Sequence, residues 1–175
     1  MDIKNNTTAK KNIPVNPYVH FFNTSHCFFK KAKKSPDRST YQFGTSFVYA
    51  AFALESYFNY VGENIIEYWD KLKTLSPENK LDILAENLNV VICYKKYPWK
   101  IMKELFSYHY RVSTWKSAKQ NTNKYDWLDY CSLENTKKAI ENVEEIIILL
   151  HTAACFKGFP FTLDHQKMSD TSFDE

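Results

Sequence analysis

Between Ser39 and Glu67, apolar side chains recur at three- and four-residue steps: Phe43, Phe47, Ala50, Ala51, Leu54, Phe58 and Val61. This is the period of an α-helix with one face buried. A helix of that length predicts a central element around which the others pack, and the small Ala50, Ala51 and Ala53 allow a neighbour to come close. Gly62 is expected to mark a break near its end. Composition points the same way. Only 3 glycines in 175 residues leave little material for the turns and bulges of a sheet-rich fold. The 13 Phe and 12 Tyr predict a core filled by rings, with hydroxyls left at its edge.

Four further segments carry helical signals. In Tyr18–Lys34, Phe21, Phe22, Phe28 and Phe29 line a face, and Ser35-Pro36-Asp37 closes the helix because proline cannot continue the hydrogen-bond ladder. Ser76-Pro77-Glu78 offers an N-cap, a proline at the first helical position and an acid in the first turn. That helix is expected to reach about Asn87, with Leu81 and Leu84 inward. Pro98 opens a segment to about Ala118 in which Ile101, Leu105, Tyr108 and Val112 share a face. After a polar loop from Lys119 to Lys124, the last helix starts at Ser132 or Leu133. It runs through Ile140, Val143, Ile147, Leu150 and Ala154 and stops at Gly158-Phe159-Pro160. Val90–Tyr94 has weak strand character. The expected fold is all-α, a bundle of about five helices, two of them long. It forms one domain over residues 17–160, between a disordered N-terminus (1–16) and an acidic tail (161–175).

Several classes of function are disfavoured. The longest apolar run, Phe47 to Leu54, falls far short of the roughly 20 residues that span a bilayer. Met1 to Lys11 is polar and has no apolar signal-peptide core. No membrane association is expected, and the cytoplasm is the expected compartment. Cys27, Cys93, Cys131 and Cys155 form no close pair, so no zinc knuckle or redox CxxC arises, and all four are read as buried thiols. Phosphate-cradling glycine loops and HExxH are missing, and His20, His26, His109, His151 and His165 are scattered. No metal and no cofactor are expected. The net charge of +3 does not by itself imply nucleic acid, and Lys30, Lys31, Lys33 and Lys34 read as the solvated last turn of a helix.

Two places set polar groups on otherwise apolar helices. Glu55 and Asn59, four apart, share a face of the central helix. Periodicity favours a wet stripe there, whereas a buried face would require partners for both. The second place is Phe106 to Lys116, an aromatic stretch that holds Arg111. The chain has only one other arginine, Arg38, against many lysines. A planar guanidinium at Arg111 suits an ion pair with Glu55, a phosphate, or stacking on Tyr or Trp.

Ala53-Leu54-Glu55 with Asn59, then Ser76-Pro77-Glu78 with Lys80-Leu81, then a helix with a single arginine resemble, in order and spacing, the HEPN superfamily of small prokaryotic helical bundles. The resemblance covers roughly Ser39 to Ala118. It implies a homodimer, RNA or a cognate protein as partner, and a setting in phage defence or toxin–antitoxin systems. Many members are metal-independent endoribonucleases whose signature is an arginine followed four to six residues later by histidine. This chain departs from that signature: Lys116, Ser117 and Ala118 occupy the histidine positions after Arg111, and Val112 replaces the usual polar neighbour. Arg38 is followed at those distances by Phe43, Gly44 and Thr45. RNA cleavage through the 2′-hydroxyl needs a proton carrier near neutral pH, which histidine is without perturbation.

Three readings follow. The first is a HEPN-like bundle that has lost catalysis and binds RNA or a partner protein, with Glu55, Asn59, Arg111 and Lys116 as polar support. The second is a metal-independent endoribonuclease using Arg111 with His109 or Lys116. The third is a helical scaffold with no nucleic-acid role.

Overall fold

The computed structural model describes residues 16–36, 39–113 and 130–161, with the backbone alone at 111–113. These contain α1 (Pro17–Lys33), α2 (Thr40–Ile65), α3 (Pro77–Leu88), α4 (Ile101–Ser113) and α5 (Leu133–Ala153), with a 3-10 turn at Trp69–Lys71. The chain is an all-α bundle, and α2 and α5 are its long members. No strand occurs among the described residues. Val90–Tyr94 runs irregularly into a turn; Val91 is 88% exposed, and no neighbouring strand offers its backbone a ladder.

α2 touches each of the other four helices and the 3-10 turn. All seven apolar positions that define its sequence period are buried to 2% exposure or less. Its most extensive packing is against α1, where two buried serines exchange bonds. Ser25 Oγ donates to the carbonyl of Ser46 at 2.7 Å, and Ser46 Oγ returns one to the carbonyl of Ser25 at 2.8 Å. Side chains this short let the two backbones approach, and each hydroxyl is satisfied without water. Gly44 serves the same end towards α4, since a Cβ there would lie 2.6 Å from the Tyr108 hydroxyl oxygen. Gly62 does not break α2. It lies inside the helix, which ends at Ile65, and the space of the missing side chain is filled by the ring of Trp69.

The helix starts fall where capping chemistry puts them. Ser76 Oγ accepts the amide of Asn79 at the head of α3, and Ser132 Oγ accepts the amide of Asn135 at the head of α5. α3 closes on Asn89 in the left-handed region (φ 54°). α5 stops at Ala153, well before the expected Gly158, and the chain turns back through Cys155 and Gly158 at positive φ. Packing reaches Phe161, which is buried and stacks on Phe22 at 4.4 Å. Of the cysteines only Cys131 is buried. Cys27 and Cys155 are exposed and Cys93 is half-buried, because Cys27 falls on the side of α1 away from α2 and Cys155 follows a helix end. Lys30, Lys31, Lys33 and Lys34 are exposed at the close of α1, as expected. The expected 1–16 arm (except Asn16), the loop from Lys119 to Lys124 and the tail beyond Phe161 lie outside the described residues, as do Arg38 and Lys116.

Hydroxyls do sit at the edge of an aromatic core. Tyr18 Oη donates to the carbonyl of Pro160 at 2.9 Å, and Tyr57 Oη meets His151 Nδ1 at 3.0 Å. His151 Nε2 lies 3.2 Å from the carbonyl of Gly158, which can only accept. In the neutral ring Nε2 therefore carries the proton, and Nδ1 accepts from Tyr57. These bonds hold the end of α5 and the turns that follow it against α1 and α2.

Burial pushes the Tyr18 phenol up to about 12 and raises Tyr57 and Tyr108 further. Tyr130 is also raised, by burial and then by its bond to Glu104. In each case the folded state holds its proton more tightly than the unfolded chain, whose tyrosines titrate near 10. This stability is complete below pH 10 and is lost as pH climbs through and beyond that value, by about 1.4 kcal/mol per pH unit for each such tyrosine. Urea midpoints are expected to show no tyrosine-linked loss from pH 7 to 9 and to fall steeply above 10. The share of tyrosinate absorbance at 295 nm that belongs to the buried rings should appear only with unfolding, apart from that of the exposed Tyr41, Tyr68 and Tyr110. Tyrosinate absorbance from all the rings while the fold persists would contradict the burial.

Candidate functional site

α3 enters the bundle beside the middle of α2, and its cap at Ser76 fixes where its first turn lies. Lys80 falls one turn into α3, four residues before the buried Leu84 and next to the buried Leu81. It is therefore on the inward face, and its side chain is only 1% exposed. Its ammonium donates to Glu55 Oε1 at 2.9 Å, while Glu55 keeps 31% of its side chain exposed. A dry lysine is held by a half-dry carboxylate. Glu55 thus has a partner other than Arg111 in this structure, and it is not a free group on a wet stripe. Lys80 is the residue that sequence reasoning missed as a site member. The available signal was its position on the apolar face set by Leu81 and Leu84.

Asn59, one turn along α2 from Glu55, has a different task. Its Oδ1 accepts the indole N–H of Trp69 at 3.4 Å, bracing the 3-10 turn against α2. It lines no part of the groove described next.

Above the Glu55–Lys80 pair, α2, α3 and α4 enclose a groove of about 540 Å³. α2 contributes Glu55, and the first turn of α3 contributes Ser76, Pro77 and Glu78. α4 contributes Lys103, Phe106, Ser107, His109 and Tyr110. His109 is half-buried, with its ring edge-on to Phe52 at 4.9 Å, whereas Tyr110 is 67% exposed. α4 is fixed from behind: the Tyr130 hydroxyl donates to Glu104, and Cys131 Sγ donates to the Tyr108 hydroxyl at 3.0 Å. Burial raises the Cys131 thiol, so it stays a neutral donor.

Two of the expected site residues, Glu55 and His109, are thus brought to one groove. Arg111 follows Ser107 by one helical turn on α4; its side chain, like Lys116 as a whole, lies outside the described atoms. The groove offers carboxylates, an ammonium, hydroxyls, an imidazole and aromatic faces. That set suits a ligand with both charge and a flat ring. Among the described residues no three His, Cys, Asp or Glu side chains gather in a way that could hold a metal ion. No helix among them is long and apolar enough to cross a membrane.

Fold and groove together define an all-α bundle with a mixed polar and aromatic cleft. Comparison with protein-family models, with curated proteins and with solved structures gives no match.

Proposed function

We propose that this chain is a HEPN-like bundle that binds a short stretch of RNA in the groove between α2, α3 and α4 without cleaving it. The observation that carries this reading is the company kept by Glu55. The groove sets His109 and Tyr110 beside it as stacking faces and Lys103 as a phosphate partner, and Lys80 neutralises its charge. Arg111, in the last turn of α4, and Lys116, five residues further along the sequence, are two further cations close in sequence to the groove residues of α4. The lack of any Arg-x4–6-His spacing speaks for binding over chemistry. A homodimer, a cytoplasmic setting and a role in defence or toxin–antitoxin systems belong to the same proposal.

A second reading has one observation in its favour. His109 lines the groove and lies two residues from Arg111, so a rearranged His/Arg ribonuclease assembled with a partner copy is the alternative. One experiment separates the two. Labelled short oligoribonucleotides are titrated with wild type, Lys103→Glu, Tyr110→Ala, His109→Ala and Arg111→Ala, and the same mixtures are run for cleavage in EDTA. Binding weakened about tenfold in Tyr110→Ala, with intact RNA throughout, is the expected result. Cleavage abolished by His109→Ala and Arg111→Ala would replace binding with catalysis. No binding by any form would leave the scaffold reading.

A further inference from the structure

α1 and the first half of α2 share a property visible only when burial is laid over sequence. Residues 16–36 and 39–54 contain no Asp or Glu, while Lys30, Lys31, Lys33 and Lys34 all lie within them. None of these lysines forms an ion pair among the described residues. The outer face of this pair of helices is aromatic. Phe28 lies parallel to Tyr49 at 6.0 Å, Tyr49 meets Phe52 at 6.0 Å, and Phe52 meets His109 at 4.9 Å. Each ring is half-buried, so each keeps surface towards solvent. Lys31 stands at one end with its ammonium 5.9 Å from the centre of the Phe28 ring. The other end, His109, is a wall of the groove.

We propose that this row of rings is a track for a single RNA strand, continuing from the groove over Phe52 and Tyr49 to the lysines that close α1. Successive half-exposed rings, on two helical segments whose described residues hold no carboxylate before Glu55 and which end at Lys31 beside Phe28, are what a single strand needs. Bases stack on rings whatever their identity, and phosphates are met by cations. The inference rests on the groove reading for its direction, but its residues are separate from those of the groove except for His109.

The test uses fluorescence anisotropy with two labelled oligouridylates, of about 4 and about 16 nucleotides, spanning the site sizes of single-strand modules. Wild type is expected to bind the longer probe about tenfold more tightly. Lys31→Glu/Lys34→Glu, at exposed positions that leave the core alone, should remove that advantage and spare the short probe. It should also lower the salt slope by about 0.7 for each phosphate that is no longer neutralised. Tyr49→Ser/Phe52→Ser should weaken binding of the long probe about tenfold, with circular dichroism to confirm the fold. If that variant does not fold, the lysine variant alone decides.

Long-probe binding that survives Lys103→Glu but not the lysine variant supports the track and sinks the groove reading. Equal affinity for both probes, or a long-probe affinity indifferent to Lys31→Glu/Lys34→Glu, overturns the track and leaves the groove standing. Capture by phosphatidylserine vesicles with no oligonucleotide binding, or dimerisation abolished in Tyr49→Ser/Phe52→Ser with RNA affinity unchanged, also overturns it.

Discussion

Glu55→Ala is expected to destabilise the fold by about 3 kcal/mol, and Lys80→Met by clearly less. The asymmetry comes from burial. Removing Glu55 leaves an ammonium that is 1% exposed with its carboxylate partner gone, whereas removing Lys80 leaves a carboxylate that is 31% exposed and can take up water. The double change Glu55→Leu/Lys80→Met, which removes both charges and keeps bulk, should recover most of the loss, because a buried pair contributes little once both partners go together. Urea unfolding of the four proteins measures this directly. Equal losses for the two single variants, or losses near the few tenths of a kcal/mol typical of a surface pair, would show that the lysine is not dry. The same pair has a functional reading. In Lys80→Met the Glu55 carboxylate faces the groove uncompensated, and RNA affinity should fall even where the fold is intact.

The second large effect is expected at Gly62. A Cβ there would lie 2.1 Å from two ring carbons of Trp69 and 2.5 Å from a third, and Trp69 is 1% exposed. In an open helix, Gly→Ala would stabilise by up to about 1 kcal/mol. Here the indole must move, and overpacking of a closed core costs about 1–3 kcal/mol. Gly62→Ala should therefore lower the melting temperature by roughly 5 °C, given the shift of about 2–4 °C per kcal/mol usual at this chain length. Moving the indole also breaks its bond to Asn59. Trp69→Leu should be costly alone, yet adding Gly62→Ala to it should cost little further, since the obstructing ring is gone. A rise in melting temperature for Gly62→Ala would mean that the ring and the helix do not meet.

Most of the fold could be read without coordinates, and for local reasons. The seven apolar positions of α2 recur at the helical period and are all buried. Ser76-Pro77 and Ser132 start helices because a cap needs only a hydroxyl and an amide three residues on. Where reading by sequence erred, the cause was a partner distant in the chain or the way a helix faces. Gly62 looked like a break because glycine is a poor helix former, and only the ring of Trp69 explains why it stays within α2. Three of four cysteines are not buried: Cys27 lies on the outward face of α1, and Cys93 and Cys155 lie in the irregular segments after α3 and α5, where periodicity says nothing about burial. α5 ends at Ala153 rather than Gly158 because the bonds of Tyr18 and His151 to the following carbonyls fold the chain back early.

The candidate site divides in the same way. Glu55 and His109 could be singled out because each interrupts an aromatic or apolar helix, and Lys80 could have been, from its place between inward leucines. What sequence alone determined is the helical bundle, two of its N-caps and the inward faces of α2 to α5, since these depend on period and nearest neighbours; in α1, of the four phenylalanines expected inward, only Phe22 is buried. Tertiary structure decided that Glu55 takes Lys80, that Asn59 serves Trp69, and that three helices leave a groove beside His109. Those outcomes rest on the close approach of residues ten to more than fifty positions apart, which the packing of α2 against its neighbours brings together.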